Sequence, residues 1–372
     1  MDAATQEHGY VVPAVTVSDT GIAGLTLGGG MGYLTRRFGM TIDSLLSVDV
    51  VTVNGKQLTA STKENCELFW GLRGAGHNLA IATKFTFQAY KIGPEVMSGF
   101  IIYKMDDAVD ILEQMDRIME AAPHELTVYP VVLPRLPLST LPAHLLERPV
   151  FVLIIVYTGD ASKYDSAMGE IRSLAEPLAD FVEPTTWIKT NKILDVLAPP
   201  GRRQHSRGGY LARITKEVAQ AAVDLVRSAP KPTGPGPSVA VAFPGMGGEN
   251  LKRDEDSTAF SSKGAHWLWE VLGQWDIQEK DKEYIGWVDS VMGRLDKHSL
   301  RNGYVNLSTD RGAKWLRCIY GSPEKWKRLC ELKDKFDKKN RLRYNKNIAR
   351  AKIESAGQAA TNSQELNGEA IG

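Results

Sequence analysis

The sequence predicts an α+β fold, a broad antiparallel sheet covered by helices, and three observations lead there. Valine- and isoleucine-rich runs recur along the chain, and the longest, Val150 to Tyr157, suits a buried strand. Other segments place apolar residues three and four apart, the mark of an amphipathic helix. Glycine- and proline-rich turns separate the two kinds of segment, and their alternation suggests a sheet with helices packed on one face.

Residues 1–95 are dense in glycine and short apolar runs. Ser47 to Val53 reads as a strand, Asn54-Gly55 as a hairpin turn because both positions tolerate positive φ, and Gln57 to Ala60 as the returning strand. Ser61 and Glu64 have the spacing of a capping box, which opens a helix running to about Leu72 and stopping at Gly74. Ile81, Phe85 and Phe87 alternate with Lys84, Thr86 and Gln88, the pattern of a half-buried strand.

Residues 96–299 mix the two element types. Strands are expected over Met97 to Lys104, Leu126 to Leu133, Phe151 to Tyr157 and Val239 to Phe243. Ala108, Ile111, Leu112, Met115, Ile118, Met119 and Ala122 share one helical face, and further helices are expected over Lys163 to Leu174, Lys216 to Ser228 and Lys282 to Leu295. Pro230 to Pro237 reads as a loop. In residues 300–350, Ser322 and Pro323 are favoured N-cap and N1 residues of a last helix carrying Trp326, Leu329 and Phe336. Residues 351–372 are polar and aperiodic and read as a disordered tail.

A length of 372 residues suggests two or three domains. Lys and Arg number 45 against 44 Asp and Glu, which gives no electrostatic footprint for nucleic acid or an anionic membrane. From Lys325 to Arg343 basic residues interleave with Glu331, Asp334 and Asp337, the pattern of a solvated helix face. Cys66, Cys318 and Cys330 have no spacing that fits a disulfide framework or zinc site. No apolar leader opens the chain and no run reaches the ~18 residues of a membrane span, so a soluble, cytoplasmic protein is expected.

The chemistry-bearing feature is a run of six glycines: Gly21, Gly24, Gly28, Gly29, Gly30 and Gly32. Such a run lets main chain approach a bulky ligand and aim N–H groups at phosphate oxygens. It is neither a Walker A loop nor a Rossmann fingerprint, and alone it fits a packing seam equally well.

Its context adds more. The stretch from Thr20 through Asp43 and Val50 to Gly55, then Glu67-Leu68-Phe69-Trp70 and Gly74 to Asn78, resembles the FAD-binding domain of the vanillyl-alcohol-oxidase superfamily. Tyr304-Val305-Asn306, Tyr320-Gly321 and Asn345-x-Asn347-Ile348 resemble the segment that closes that fold in the berberine-bridge-enzyme-like branch, which includes 6-hydroxy-D-nicotine oxidase. The resemblance implies the C-terminal lobe of a PCMH-type FAD-binding domain joined to an α+β substrate domain, with residues 300–350 returning to the first unit. It implies that Thr20, Gly21, Gly24, Gly28, Gly29 and Gly30 line FAD, that Gly74, Gly76, His77, Asn78 and Ile81 contact it through backbone, and that Asn345 and Asn347 bond the flavin edge. The early glycines and the Arg73–Asn78 bend would then converge on one diphosphate.

The sequence departs from the family in several places. The family has an earlier lobe with a Gly-Gly-His motif whose histidine carries the flavin, and this chain starts after it. Val17 stands where some members have a flavin-linked cysteine, and Leu79-Ala80 replace Phe-Gly. Non-covalent and weakened FAD binding is therefore expected.

The resemblance implies an FAD-dependent oxidase acting on a small organic molecule, of the kind found in secondary metabolism, with oxygen as acceptor. A flavin-poor binding protein or a non-redox cyclase are the alternatives. Tyr304 and Asn306 are the catalytic candidates, and a structural role on the closing segment competes for both. Tyr129 and Tyr157, on expected strands, could face the pocket or fill the core. His205 falls in a polar loop, Gly201 to His205, that could border the entrance.

Overall fold

The computed structural model describes residues 1–136, 148–234, 238–307 and 312–348. The expected tail and residues 235–237 of the expected Pro230–Pro237 loop lie outside the described residues.

Three antiparallel sheets form. The smallest pairs β1 (Tyr10–Val11) with β5 (Tyr90–Lys91). The second has the order β3-β2-β4, with β2 spanning Leu45–Val51, β3 Gln57–Ser61 and β4 Ile81–Phe87. The third runs β10-β6-β8-β7-β12-β13-β11, with β9 (Ala179–Asp180) pairing β6 outside that path. Its other strands are β6 (Glu95–Lys104), β7 (Leu126–Leu133), β8 (Val150–Tyr157), β10 (Glu183–Thr186), β11 (Arg203–Leu211), β12 (Val239–Ala242) and β13 (Trp267–Trp275).

The hairpin forms as its Asn-Gly turn dictates, with Gly55 at φ 79. The capping box does not start a helix. Ser61 Oγ accepts from the Lys63 and Glu64 amides and closes a turn, and the helix begins at Cys66 after Asn65. The helical path breaks at Arg73 and Gly74, where the sequence places its stop. β4 forms as expected, but Ile81 is 55% exposed rather than inward.

The helices of the middle region match their periodicity. Ala108–Ala121 buries Ala108, Ile111, Leu112, Met115, Ile118 and Met119. Lys216–Arg227 buries Val218, Ala219, Ala222, Val223, Leu225 and Val226. With Tyr164, Met168 and Ile171 of the Tyr164–Arg172 helix they cover one face of the large sheet. The other face is covered too: Tyr129, Val131, Val152 and Ile154 pack against Val11, Tyr33, Leu34, Trp187 and Leu194. Burial on both faces explains why β7 and β8 read as unbroken apolar runs.

Residues after 300 pack against the three-stranded sheet and the Cys66–Ala75 helix. Val305, Leu316, Leu329, Leu332 and Ile348 share a core with Leu45, Val48, Leu68, Phe69 and Leu72. Helix Pro323–Phe336 starts as expected, Ser322 Oγ accepting from the Lys325 amide. It is not simply a solvated face, because Lys325 and Lys333 are buried. Among the described residues no helix is long and apolar enough to cross a membrane.

Candidate active site

A cavity of about 890 Å³ lies between the large sheet and the segment that holds Val15 to Met31. Its first wall is Val15 to Gly24 with Leu25, Met31, Tyr304 and Asn306. Its second is the sheet, where register aligns one row across four strands: Gly208 opposes Glu270, Glu270 opposes Ala242, and Ala242 opposes Val131. Strand alternation brings Leu272 and Gln274 to the same face as Glu270, and Tyr129 joins them from β7.

Glu270 is the chemically distinctive group. The residues opposite it on either side are Gly208 and Ala242, too small to cover it. No hydrogen bond or ion pair reaches its carboxylate among the described residues, and burial alone pushes its pKa up to about 7. A carboxyl so poised exchanges protons near neutrality.

Tyr304 and Asn306 both line the cavity. The Tyr304 hydroxyl accepts from the amides of Gly30 and Met31 and from Asn306 Nδ2, each at 3.1 Å. Burial raises its pKa to about 12 despite these donors. An oxygen whose lone pairs are so engaged can donate its proton but is not free to act as a base. Asn306 also donates to Leu25 O at 3.0 Å, so it ties the closing segment to the glycine wall.

Tyr129 is buried in the cavity wall, and burial, then the Glu270 charge, drive its pKa well above its ordinary value. Tyr157 faces the helices, its hydroxyl donating to Asp160 O. His205 is on β11, in a strand rather than a loop, and bonds Asp289 at 3.1 Å, while its neighbours Gln204 and Ser206 line the cavity.

The expected cofactor residues separate into three groups. Thr20, Gly21 and Gly24 border the cavity, and nothing lies within 4 Å of a Cβ built on either glycine. That wall has room for a planar ring system, so the residues present fit the flavin end of FAD. Gly28, Gly29 and Gly30 are instead a packing seam. A Cβ there would stand 2.1 Å from Asn306 Oδ1, 2.6 Å from the Phe260 ring and 2.2 Å from Thr41 Oγ1 respectively.

The Arg73–Asn78 bend is close by, but Phe260 and Leu27 fill the space between. A Cβ on Gly74 would meet Phe260 N at 2.5 Å, and one on Gly76 would meet Leu27 Cδ2 at 2.4 Å. The two stretches therefore do not converge on a diphosphate in this arrangement. His77, Asn78, Asn345 and Asn347 gather elsewhere. Asn78 Nδ2 donates to Lys346 O, Asn78 Oδ1 accepts from the Ile348 amide, and Asn345 Nδ2 donates to His77 O. Burial, then Lys346 and Lys333, lower His77 to about 4, so it is neutral near pH 7. Neither these residues nor Ile81 border the cavity.

The division makes a contrast testable by urea denaturation. Gly29→Ala puts a methyl at φ +123 against the Phe260 ring and is expected to lose about 2–3 kcal/mol. Gly24→Ala, in the Ile22–Leu27 helix with open space before it, should match wild type or gain up to about 1 kcal/mol. Equal midpoints for the two variants would refute the seam.

Known proteins resemble this chain in sequence and in fold. A family model described as an FAD binding domain matches residues 1–61. The Bacillus subtilis FAD-linked oxidoreductase YgaK is 25% identical over 352 residues, covering 92% of this chain and 73% of that protein. (R)-6-hydroxynicotine oxidase of Paenarthrobacter nicotinovorans is 26% identical over 337 residues, covering 88% and 70%. A BBE-like structure from Arabidopsis thaliana superposes with TM-score 0.78 at 17% identity, covering 93% of this chain and 75% of its own. These matches mark the chain as an FAD-linked oxidoreductase, and the BBE-like structure shares its fold. The cavity contains the polar groups this oxidoreductase could set against a substrate: Glu270, Tyr129, Gln204, Ser206 and Gln274. Sequence reasoning identified Tyr129 as a pocket candidate but not Glu270, although period-two alternation over Trp267–Trp275 carries the signal.

Proposed function

We propose that this oxidoreductase oxidises a small organic molecule held between the sheet and the Thr20–Gly24 wall, with Glu270 removing the substrate proton. The observation that supports this most directly is an unpartnered carboxylate, poised near neutral pH, opposite a wall with room for a flavin. A flavin held against that wall by Thr20, Gly21 and Gly24 would supply the hydride acceptor and the redox link to oxygen. Tyr304, fixed by Gly30, Met31 and Asn306, keeps the closing segment against the glycine wall and can donate one hydrogen bond. Val131, Leu194 and Leu197 keep part of the cavity apolar, which strengthens the polar contacts beside it.

Purified protein should be yellow and should form peroxide when incubated in air with small amines or alcohols. Among the described residues no histidine or cysteine lines the cavity, so acid precipitation should leave the colour in the supernatant. Colourless protein whose melting temperature does not rise with added FAD would overturn the proposal.

A further inference from the structure

A second cavity, of about 260 Å³, lies on the helix-covered side of the sheet, away from the redox cavity. Its walls come from the last turns of the Ala108–Ala121 helix, the Gly245–Gly248 turn and the start of β13. At its back stands Arg36, only 3% exposed.

Two of the three guanidinium nitrogens are committed. Nε donates to Leu126 O at 2.8 Å, and Nη2 donates to Met119 O at 3.0 Å and Ala122 O at 3.3 Å. Among the described residues Nη1 has no hydrogen-bond partner, and none of their carboxylates forms an ion pair with Arg36. Nor is Nη1 among the sealed polar atoms, so it keeps access to the cavity. It approaches Gly247, where a Cβ would stand 2.8 Å from it. Burial lowers the Arg36 pKa only to about 10, so the cation persists at neutral pH. Carbonyl dipoles at the helix end offset part of that charge, but a buried cation without an anion is costly.

The nearby carboxylates do not supply the missing partner. Asp116 accepts from Trp267 Nε1 at 2.5 Å and from the Ile214 amide at 3.0 Å. Glu249 is engaged by Lys252 and His124. Glu120 is exposed at the rim. The rim carboxylates disfavour a polyanion, and the volume suits a compact ligand.

We propose that this cavity binds a small monocarboxylate, its carboxylate oxygen accepting from Arg36 Nη1. The site is independent of the redox reaction and could not be read from the sequence, because Arg36 and the turn that exposes it are over 200 residues apart.

Acetate is the probe, titrated against the full chain at constant ionic strength with chloride as the exchanged ion. Melting temperature should rise and saturate with acetate. Gly247→Ala, which blocks Nη1, should raise the half-saturating concentration at least about tenfold. Leu251→Trp, at an exposed rim position, should do the same without disturbing the core. Glu270→Gln should respond as wild type. A response no larger than that to chloride, an unaltered response in Leu251→Trp, or loss of the response in Glu270→Gln would each overturn the proposal.

Discussion

Glu270→Gln is expected to lower kcat/KM by about 10²–10⁴ while leaving flavin content unchanged, because the amide keeps the shape of the group but cannot take a proton. Wild-type kcat/KM should rise with pH and level off above about 7, as the carboxyl ionises. The residual activity of the variant should lack that step. Stability gives an independent check. A carboxyl raised from its ordinary value to about 7 holds its proton more tightly when folded than when unfolded. Its contribution is therefore full below the unfolded value and is lost as pH rises through about 7. Glu270→Gln removes this dependence, so the variant should gain on wild type between pH 4.5 and 7. The gain should not exceed about 3 kcal/mol, and opening onto the cavity reduces it. A variant that keeps wild-type turnover, or an unchanged pH step, would show that Glu270 is not the base.

The contrast between Glu270 and its surroundings explains what the sequence could and could not disclose. β7 and β8 were legible because burial on both faces leaves continuous apolar runs with only one reading. The Ala108–Ala121 and Lys216–Arg227 helices were legible because each has one wet and one dry face. β13 carries a mixed signal. Trp267, Trp269 and Val271 point to the helices, while Leu268, Glu270, Leu272 and Gln274 point the other way. β11, Arg203–Leu211, is polar enough to read as a loop until its pairing with β13 is known. What makes Glu270 special is non-local: Gly208 and Ala242, from two other strands, leave it uncovered. The glycine run failed in the opposite sense. Its composition allows both a ligand cradle and a packing seam. The choice at Gly28–Gly30 is made by Asn306, Phe260 and Thr41, two of which lie more than 200 residues later.

Lys333→Ala is expected to destabilise the protein by about 3–5 kcal/mol, a loss far above that for an ordinary surface lysine. Lys333 is 3% exposed, and its ammonium donates to Asn78 O at 2.9 Å, Asp337 Oδ2 at 2.8 Å and Leu342 O at 3.0 Å. Removing it leaves Asp337, itself 1% exposed, as a buried anion held only by the Arg341 and Leu342 amides. Burial pushes Asp337 up, but the bonds from Lys333 and those two amides outweigh it and hold the carboxyl below its ordinary range. Stability from this pair is therefore present above the unfolded carboxylate pKa and is lost as pH falls through the lower folded one, and Lys333→Ala should flatten that acid limb. The urea midpoint measures the main effect. Lys333→Met with Asp337→Leu should recover part of the loss, because replacing both ions avoids the unpaired charge. The same ammonium also anchors the Asn78 bend, to which Ile348 and Lys346 are bonded. Its removal should free the closing segment first, so trypsin should cut at Arg341 or Arg343 before global unfolding. If cleavage there is no faster than in wild type at matched urea, the clamp stabilises the helix alone and does not hold the segment to the bend.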